Sequence, residues 1–318
     1  MIVKKYTDND KDLWNSFIQN SKNGIFMFNR NFMEYHKDRF TDNSLLFYDE
    51  DKLVAIMPAS IKDDVLSSHS GLTYGGFITG NDMKQHHMND CFTALKEYAA
   101  SNGIKEIIYK HIPHIYHKQP AEEDLYSLFF NNAEVLKVEA STVLDLANPL
   151  KMPKGRKAQV GRARREGVVI QESTDFESFI ELENSVLQER HGTKAVHTAE
   201  ELHLLQGYFP ENIKLFAAMY QNKMIAGTIL FIYDNAVHTQ YMAASDLARE
   251  IGALDFTIAT VIEMFKTSKK WLDFGISTED AGHFLNEGLI SQKEGFGGRT
   301  NVYQTWRIKF SPAKFQIQ

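Results

Sequence analysis

Residues 271–299 read WLDFGISTEDAGHFLNEGLISQKEGFGGR, and the order of residue types in them governs how the rest of the chain is understood. Trp271 to Ile276 is a short aromatic and β-branched run that spends itself at Gly275, the pattern of a buried strand running out into a loop. Ser277, Thr278, Glu279 and Asp280 are helix-capping types, and Ala281, Phe284, Leu285 and Leu289 recur behind them at helical spacing. Polar side chains collected where a strand stops and a helix starts suit a small anionic or carbonyl group. A strand and helix placed only for packing would read the same way, because buried strands often end in glycine.

The 318 residues are about twice the usual single-domain length, so two domains are expected, each with enough of the 43% hydrophobic content to bury a core. A net charge of -6 argues against wholesale coating of DNA or of a membrane surface and leaves room for a local basic patch. The single cysteine, Cys91, excludes an internal disulfide framework and suits a reducing compartment. Beside Phe92 and Leu95 on a helical pattern, it reads as a buried thiol rather than a nucleophile. The first residues, MIVKKYTDNDKDLW, carry charges where an export signal needs an apolar core, and no run approaches the roughly 18 apolar residues of a membrane helix. A cytoplasmic protein without stable membrane insertion is the expectation.

Along the chain, residues 10–40 predict helix with a break near Gly24. SLLFYDEDKLVAIMPASIK predicts two strands turning at Asp49 to Lys52, and HSGLTYGGFITG a third weakened by glycine. DCFTALKEYAASNG predicts a helix closed by Gly103, and IKEIIY a strand. The second half repeats this order. NIKLFAAMYQNKMIAGTILFIYDNAVHTQYMAAS gives two runs turning at Gln221 to Lys223 and a third from Ala236, then a helix over 250–267 and the WLDFG strand. Repetition at so long a period points to duplication of one α/β domain, with the boundary near Pro149 and Pro153, giving domains 1–150 and 151–318. Between the halves, His111, His114 and His117 recur every third residue, but Pro113 bars a helix, so a loop with solvated histidines is expected rather than a metal site.

DFGI, followed by GL, then QK and GFGG, resembles the C-terminal half of the Fem-type peptidyltransferases and their relatives among GNAT-like acyltransferases. Gln292 stands before Lys293 where that pattern often has an aromatic residue. The resemblance implies an α/β fold of two tandem GNAT-like domains, each a mixed, mostly antiparallel sheet flanked by helices, the first lining an acceptor groove and the second holding an acyl donor. It also implies Lys293 as the lysine that stabilises developing charge.

Other residues are candidates for binding. KGRKAQVGRARRE (154–166) holds Arg156, Arg162, Arg164 and Arg165 among its six cations, and arginine grips phosphate by a planar two-pronged contact. A solvated helix face explains such a run equally well. In GNAT domains the CoA pyrophosphate sits on the backbone amides that begin one helix, and Arg249, Gly252 and Ala253 stand at the matching stretch, with Leu254 breaking the pattern. Tyr74, Gly75 and Gly76 would line the acceptor edge, or mark an irregular strand.

The sequence has no GxSxG, P-loop, HExxH or GxGxxG motif, so covalent catalysis has no evident nucleophile. Direct attack of an amine on an ester or thioester carbonyl held between the domains fits what remains. Glu279 is the expected proton acceptor with Asp273 behind it, and Lys293 meets the oxyanion. Tyr241 and His238, three apart on one strand, are expected on opposite faces, with Tyr241 as proton donor to the leaving group. The reading is an N-acyltransferase using acyl-CoA as a cosubstrate, with no tightly bound cofactor, or aminoacyl-tRNA. It would modify an amine of a cell-envelope precursor or sugar. The alternative is a non-catalytic protein of the same fold that holds an anion through its basic segment.

Overall fold

The structure, a computed structural model, describes residues 1–310, the side chains of residues 190 and 191 excepted. Two compact units divide the chain: Met1–Glu139 together with the residues from Val302 on, and Ala140–Asn301. The division falls ten residues before Pro149, because one long strand runs through it, and the last strand belongs to the first unit. Pro149 and Pro153 lie in the connection after that strand, with Pro153 at the N-cap of the next helix, where its fixed φ is tolerated.

The first unit contains β1 (Ile2–Lys5), α1 (Lys11–Asn20), α2 (Arg30–Met33), β2 (Thr41–Asp42), β3 (Leu45–Asp49), β4 (Lys52–Met57), β5 (Ser60–Lys62), β6 (Val65–Ser67), β7 (Ile78–Thr79), α3 (Gln85–Ser101), β8 (Glu106–Lys110) and α4 (Glu123–Phe130). The start of β9 (Glu134–Asp145) also belongs to it. Strands β1, β3, β4 and β7 form one antiparallel sheet. In the other, β8 pairs in parallel with β6, which pairs antiparallel with β5 and through it with β2. The amphipathic α3 lays Cys91, Phe92, Leu95 and Ala99 against Leu45, Phe47, Met57, Leu66 and Ile107. Each buried Leu, Ile, Phe or Met side chain among them contributes roughly 1.5–3 kcal/mol. Cys91 is fully buried and its thiol is pushed up to about 12, which removes it from nucleophilic chemistry. Most of the HSGLTYGGFITG stretch is irregular; only Ile78–Thr79 pair as strand.

The second unit continues with the end of β9, then α5 (Lys154–Arg165), β10 (Val169–Ser173), α6 (Phe176–His191), α7 (Ala199–Tyr208), β11 (Ile213–Tyr220), β12 (Lys223–Ile232), β13 (Ala236–Ala244), α8 (Asp246–Ile251), α9 (Ala253–Phe265), β14 (Trp271–Ile276), β15 (Thr278–Glu279), β16 (Phe284–Leu285) and α10 (Glu287–Glu294). The chain then enters β17 (Arg299–Lys309), which pairs with β8 in the first unit. Strands β10, β11, β12 and β13 are successive antiparallel neighbours, β14 lies parallel to β13, and β9 lies antiparallel to β14. Helix α9 covers one face, packing Ile258 and Val261 on Leu230, Val237, Leu272 and Phe274. The ring of Phe179 from α6 lies against Gly227 of β12 on the opposite face, close enough that a Cβ there would meet it at 3.1 Å. The single expected helix over 250–267 is two, because Gly252 at φ 78 closes α8 and opens α9.

Candidate active site

The parallel pair β13 and β14 is in register at only three positions, from Ala236 opposite Trp271 to His238 opposite Asp273. At the end of that register lies a buried polar cluster. Strand alternation sends Leu272 and Phe274 to the α9 core and Asp273 to the other side. The Asp273 carboxylate accepts from the Ser141 hydroxyl and, at 2.9 Å, from the Gly275 amide, and its Oδ2 lies 3.0 Å from His238 Nδ1. Lys293, from α10, donates its Nζ to the carbonyls of Gly275 at 3.0 Å and Ile276 at 2.6 Å. Burial pushes this ammonium down to about 8, against the opposing pull of the Asp273 charge. Ser277, next along, is 1% exposed and its hydroxyl has no partner among the described residues.

Tyr241 and His238 are on the same face, not on opposite ones. A bulge sets Tyr241 opposite Ile229 and Thr239 opposite Leu230, so Gln240 is the extra residue and the alternation is reset. His238 lies opposite Phe231, two residues from Ile229 on the unbroken β12, which puts both on one side. The His197 ring packs against both Phe231 and Tyr241, and its Nδ1 is 2.7 Å from the Tyr241 hydroxyl. Burial pushes the Tyr241 phenol up to about 12, so it stays protonated at neutral pH.

Glu279 is not part of this cluster. The expected helix behind it is a hairpin, β15 with β16, turned by Asp280, Ala281 and Gly282 at positive φ; helix α10 begins only after Asn286, whose side chain caps it. Phe284 and Leu285 are consequently exposed, and Glu279, also exposed, accepts from Asn286 Nδ2 at 3.2 Å.

The stretch expected to hold a CoA pyrophosphate is packed by protein. The Gln159 carbonyl of α5 comes so near Gly252 that a Cβ there would lie 2.6 Å from it, and Ala253 is buried. Arg249 is paired with Asp246 at 2.6 Å. The arginines of α5 face the same neighbourhood. Arg156 bonds Asp255 and the Gln292 carbonyl and lies over the Phe296 ring; Arg162 bonds the Glu250 carbonyl at 2.8 Å; Arg164 lies over Phe256. Arg165 is exposed.

In the first unit, the Tyr74 hydroxyl is buried against those of Tyr116 and Tyr303, at 2.8 and 2.9 Å. A Cβ on Gly75 would strike the Ser68 carbonyl, and one on Gly76 (φ 79) the Tyr109 ring. These glycines therefore answer to close packing of the chain on itself, and protein fills the space beside them. His111 and His117 are buried rather than solvated: His111 Nδ1 lies 3.2 Å from Asp124 and His117 Nε2 2.9 Å from the Ile112 carbonyl. Among the described residues no group of three or more His, Cys, Asp or Glu side chains is placed to hold a metal. This unit also has a cleft of about 680 Å³ lined by Arg30, Glu34, Asp42 and His69. Arg30 is already committed there, to Glu34 at 3.1 Å and Asp42 at 2.8 Å.

Two residues of the second unit escape a reading of the sequence. His197 lies in a polar connection with no periodic signal. Glu183 follows Phe176, Phe179 and Ile180 at i+7, i+4 and i+3, so the helical stripe itself marks it as an acid in a core position. Burial pushes its carboxyl up to about 7.

No family model and no curated protein matches the sequence. Solved structures do match the fold. FemX superposes with a TM-score of 0.68 at 11% identity over 98% of this chain and 98% of its own. The L-PGS of Bacillus licheniformis gives 0.66 at 12% identity, over 98% and 95%. A tandem GNAT protein from the clavulanic acid biosynthesis pathway gives 0.55 at 10%, over 98% and 99%. The fold is a mixed α/β tandem GNAT-like fold. More narrowly, it is Fem-like. Among the described residues no helix is long and apolar enough to cross a membrane.

Proposed function

We propose that this chain is a transferase that moves an acyl or aminoacyl group from an activated ester or thioester to an amine, with the chemistry run at the end of β14. The observation that carries this reading is Lys293, a buried ammonium with two of its three N–H groups on the carbonyls of Gly275 and Ile276. The amine nitrogen attacks the carbonyl carbon. A C–N bond forms, the C–O or C–S bond breaks, and in between the carbonyl oxygen carries a negative charge that the third N–H of Lys293 meets in a water-poor setting. Tyr241, held protonated by burial, gives its proton to the departing oxygen or sulfur. For the amine's proton two carboxylates are proposed: Glu183, on α6, and Glu279, on the exposed hairpin outside the buried cluster.

The contact of Gln159 with Gly252 supports an aminoacyl ester, as carried by tRNA, over acyl-CoA, because α5 lies on the helix start that a pyrophosphate would need. The acceptor we propose is an amine of a cell-envelope precursor or sugar, the class the Fem-like fold suggests. A protein that only grips an anion through its basic helix has less support, since Arg156, Arg162 and Arg164 are engaged with the protein's own groups.

The test is thermal melting with acetyl-CoA and, separately, with aminoacylated tRNA, followed by transfer of the labelled acyl group to amino sugars. A donor that binds the folded state raises Tm by mass action, and tRNA binding weakens steeply with salt. No shift with either donor together with no transferred label would end the proposal.

A further inference from the structure

Helix α6 buries Phe176, Phe179 and Ile180 against the sheet, and Glu183 occupies the next position of the same stripe at 7% exposure. An aliphatic side chain is the ordinary choice there. Among the described residues no side chain or amide donates to its carboxylate and no cation pairs with it, so packing gives no reason for the charge and stability argues against it. The face it looks toward is the one that carries Tyr241, His197, His238 and Asp273, and the Glu183 charge acts on the Tyr241 phenol.

We propose that Glu183 binds the acceptor as an ammonium ion and takes the proton that frees its nitrogen for attack. This rests on the transferase reading and narrows the acceptor to a basic amine, since an alcohol brings no cation for the carboxylate to hold. An amine arrives protonated and without a lone pair. It pairs with the ionised Glu183; one N–H bond breaks, and the proton passes to the carboxylate, leaving a neutral acid and a neutral amine. The burial that pushes Glu183 up to about 7 also disfavours the ammonium, so the two affinities for the proton converge. After attack, the nitrogen's second proton balances the one delivered to the leaving group, and Glu183 returns its own to water. The titratable groups on this face are Tyr241 and His238 from β13, Asp273 from β14 and His197 from the connection before α7, and burial is the cause of the Glu183 shift.

The experiment compares wild type, Glu183→Gln and Glu183→Asp in two readouts. In transfer assays, Glu183→Gln should lose kcat by about 10²-fold or more with the donor KM unchanged, and its rate should no longer rise with pH near 7. Glu183→Asp should recover part of the rate and keep the pH dependence. In melting assays, butylammonium chloride should stabilise wild type over potassium chloride of the same ionic strength and leave Glu183→Gln unmoved. Transfer by Glu183→Gln within threefold of wild type, or equal responses of the two proteins to butylammonium, overturns the assignment. If butylammonium discriminates the two proteins while neither transfers any acyl group, the transferase reading fails and the amine site stands.

Discussion

The Lys293 ammonium donates to the carbonyl of Ile276 at 2.6 Å, and with its bond to Gly275 this ties helix α10 to the end of β14. A lysine so placed is a structural pin and a cation at once, which makes its removal informative. Lys293→Met should leave two carbonyls without their donor and cost on the order of 2 kcal/mol in urea unfolding. It should also reduce transfer about 10²–10³-fold, the usual loss when one oxyanion donor is removed. Transfer that survives this change would confine Lys293 to the structural part.

The pH profile follows from the same two groups. Glu183 must be ionised to accept a proton and titrates near 7; Lys293 must be charged to meet the oxyanion and titrates near 8. The kcat/KM should therefore climb to about pH 7 and fall above about pH 8, a narrow bell. Lys293→Arg, whose charge does not titrate in this range, should flatten the alkaline limb whatever it does to the maximum.

Glu183 also predicts a stability effect with a definite sign. Its folded pKa, near 7, lies above the ordinary 4.5, so the folded state holds the proton more tightly and stability drains away as pH rises from 4.5 to 7. Above pH 7 the full cost of the buried charge is present. Glu183→Gln removes it and should raise stability at pH 8 by on the order of 1–3 kcal/mol, with little change at pH 4. Melting temperatures at the two pH values check this; a variant destabilised at both would mean that the carboxylate is satisfied in solution.

Gly252 joins α8 to α9 at φ 78 beneath the Gln159 carbonyl. Gly252→Ala places a methyl group on that carbonyl in a backbone region that L residues disfavour, and should cost about 2–4 kcal/mol. Saturating acetyl-CoA should not restore the loss. Restoration would show that CoA binds this helix start after all.

Much of this fold is legible in the sequence because hydrophobic period decides it. The WLDFGI strand, the helix with Cys91, Leu95 and Ala99, and the turn at Gln221 and Asn222, both at positive φ, all lie where the pattern puts them. The site is less legible, because two of its features are departures from period. Gln240 adds one residue to β13 and brings Tyr241 round to the side of His238, and nothing in TQYMAAS announces it. Asp280, Ala281 and Gly282 turn a capped-helix pattern into a hairpin and leave Glu279 exposed on it. Gly75, Gly76 and Gly252 are conspicuous in the sequence, but whether a glycine makes room for a ligand or for its own chain depends on what packs against it. Here those neighbours are Ser68, Tyr109 and Gln159.

The pairing of β17 with β8 bears on how the molecule is made. Residues 140–301 form an uninterrupted piece of chain with a core of their own, whereas the N-terminal unit draws a strand from beyond residue 301. On the ribosome the later-made unit is thus able to assemble while the earlier one still waits for its missing edge. Order of completion runs opposite to order of synthesis, and β8 stays unpaired on that side, open to mispairing or to a chaperone, until residues 305–309 have been made.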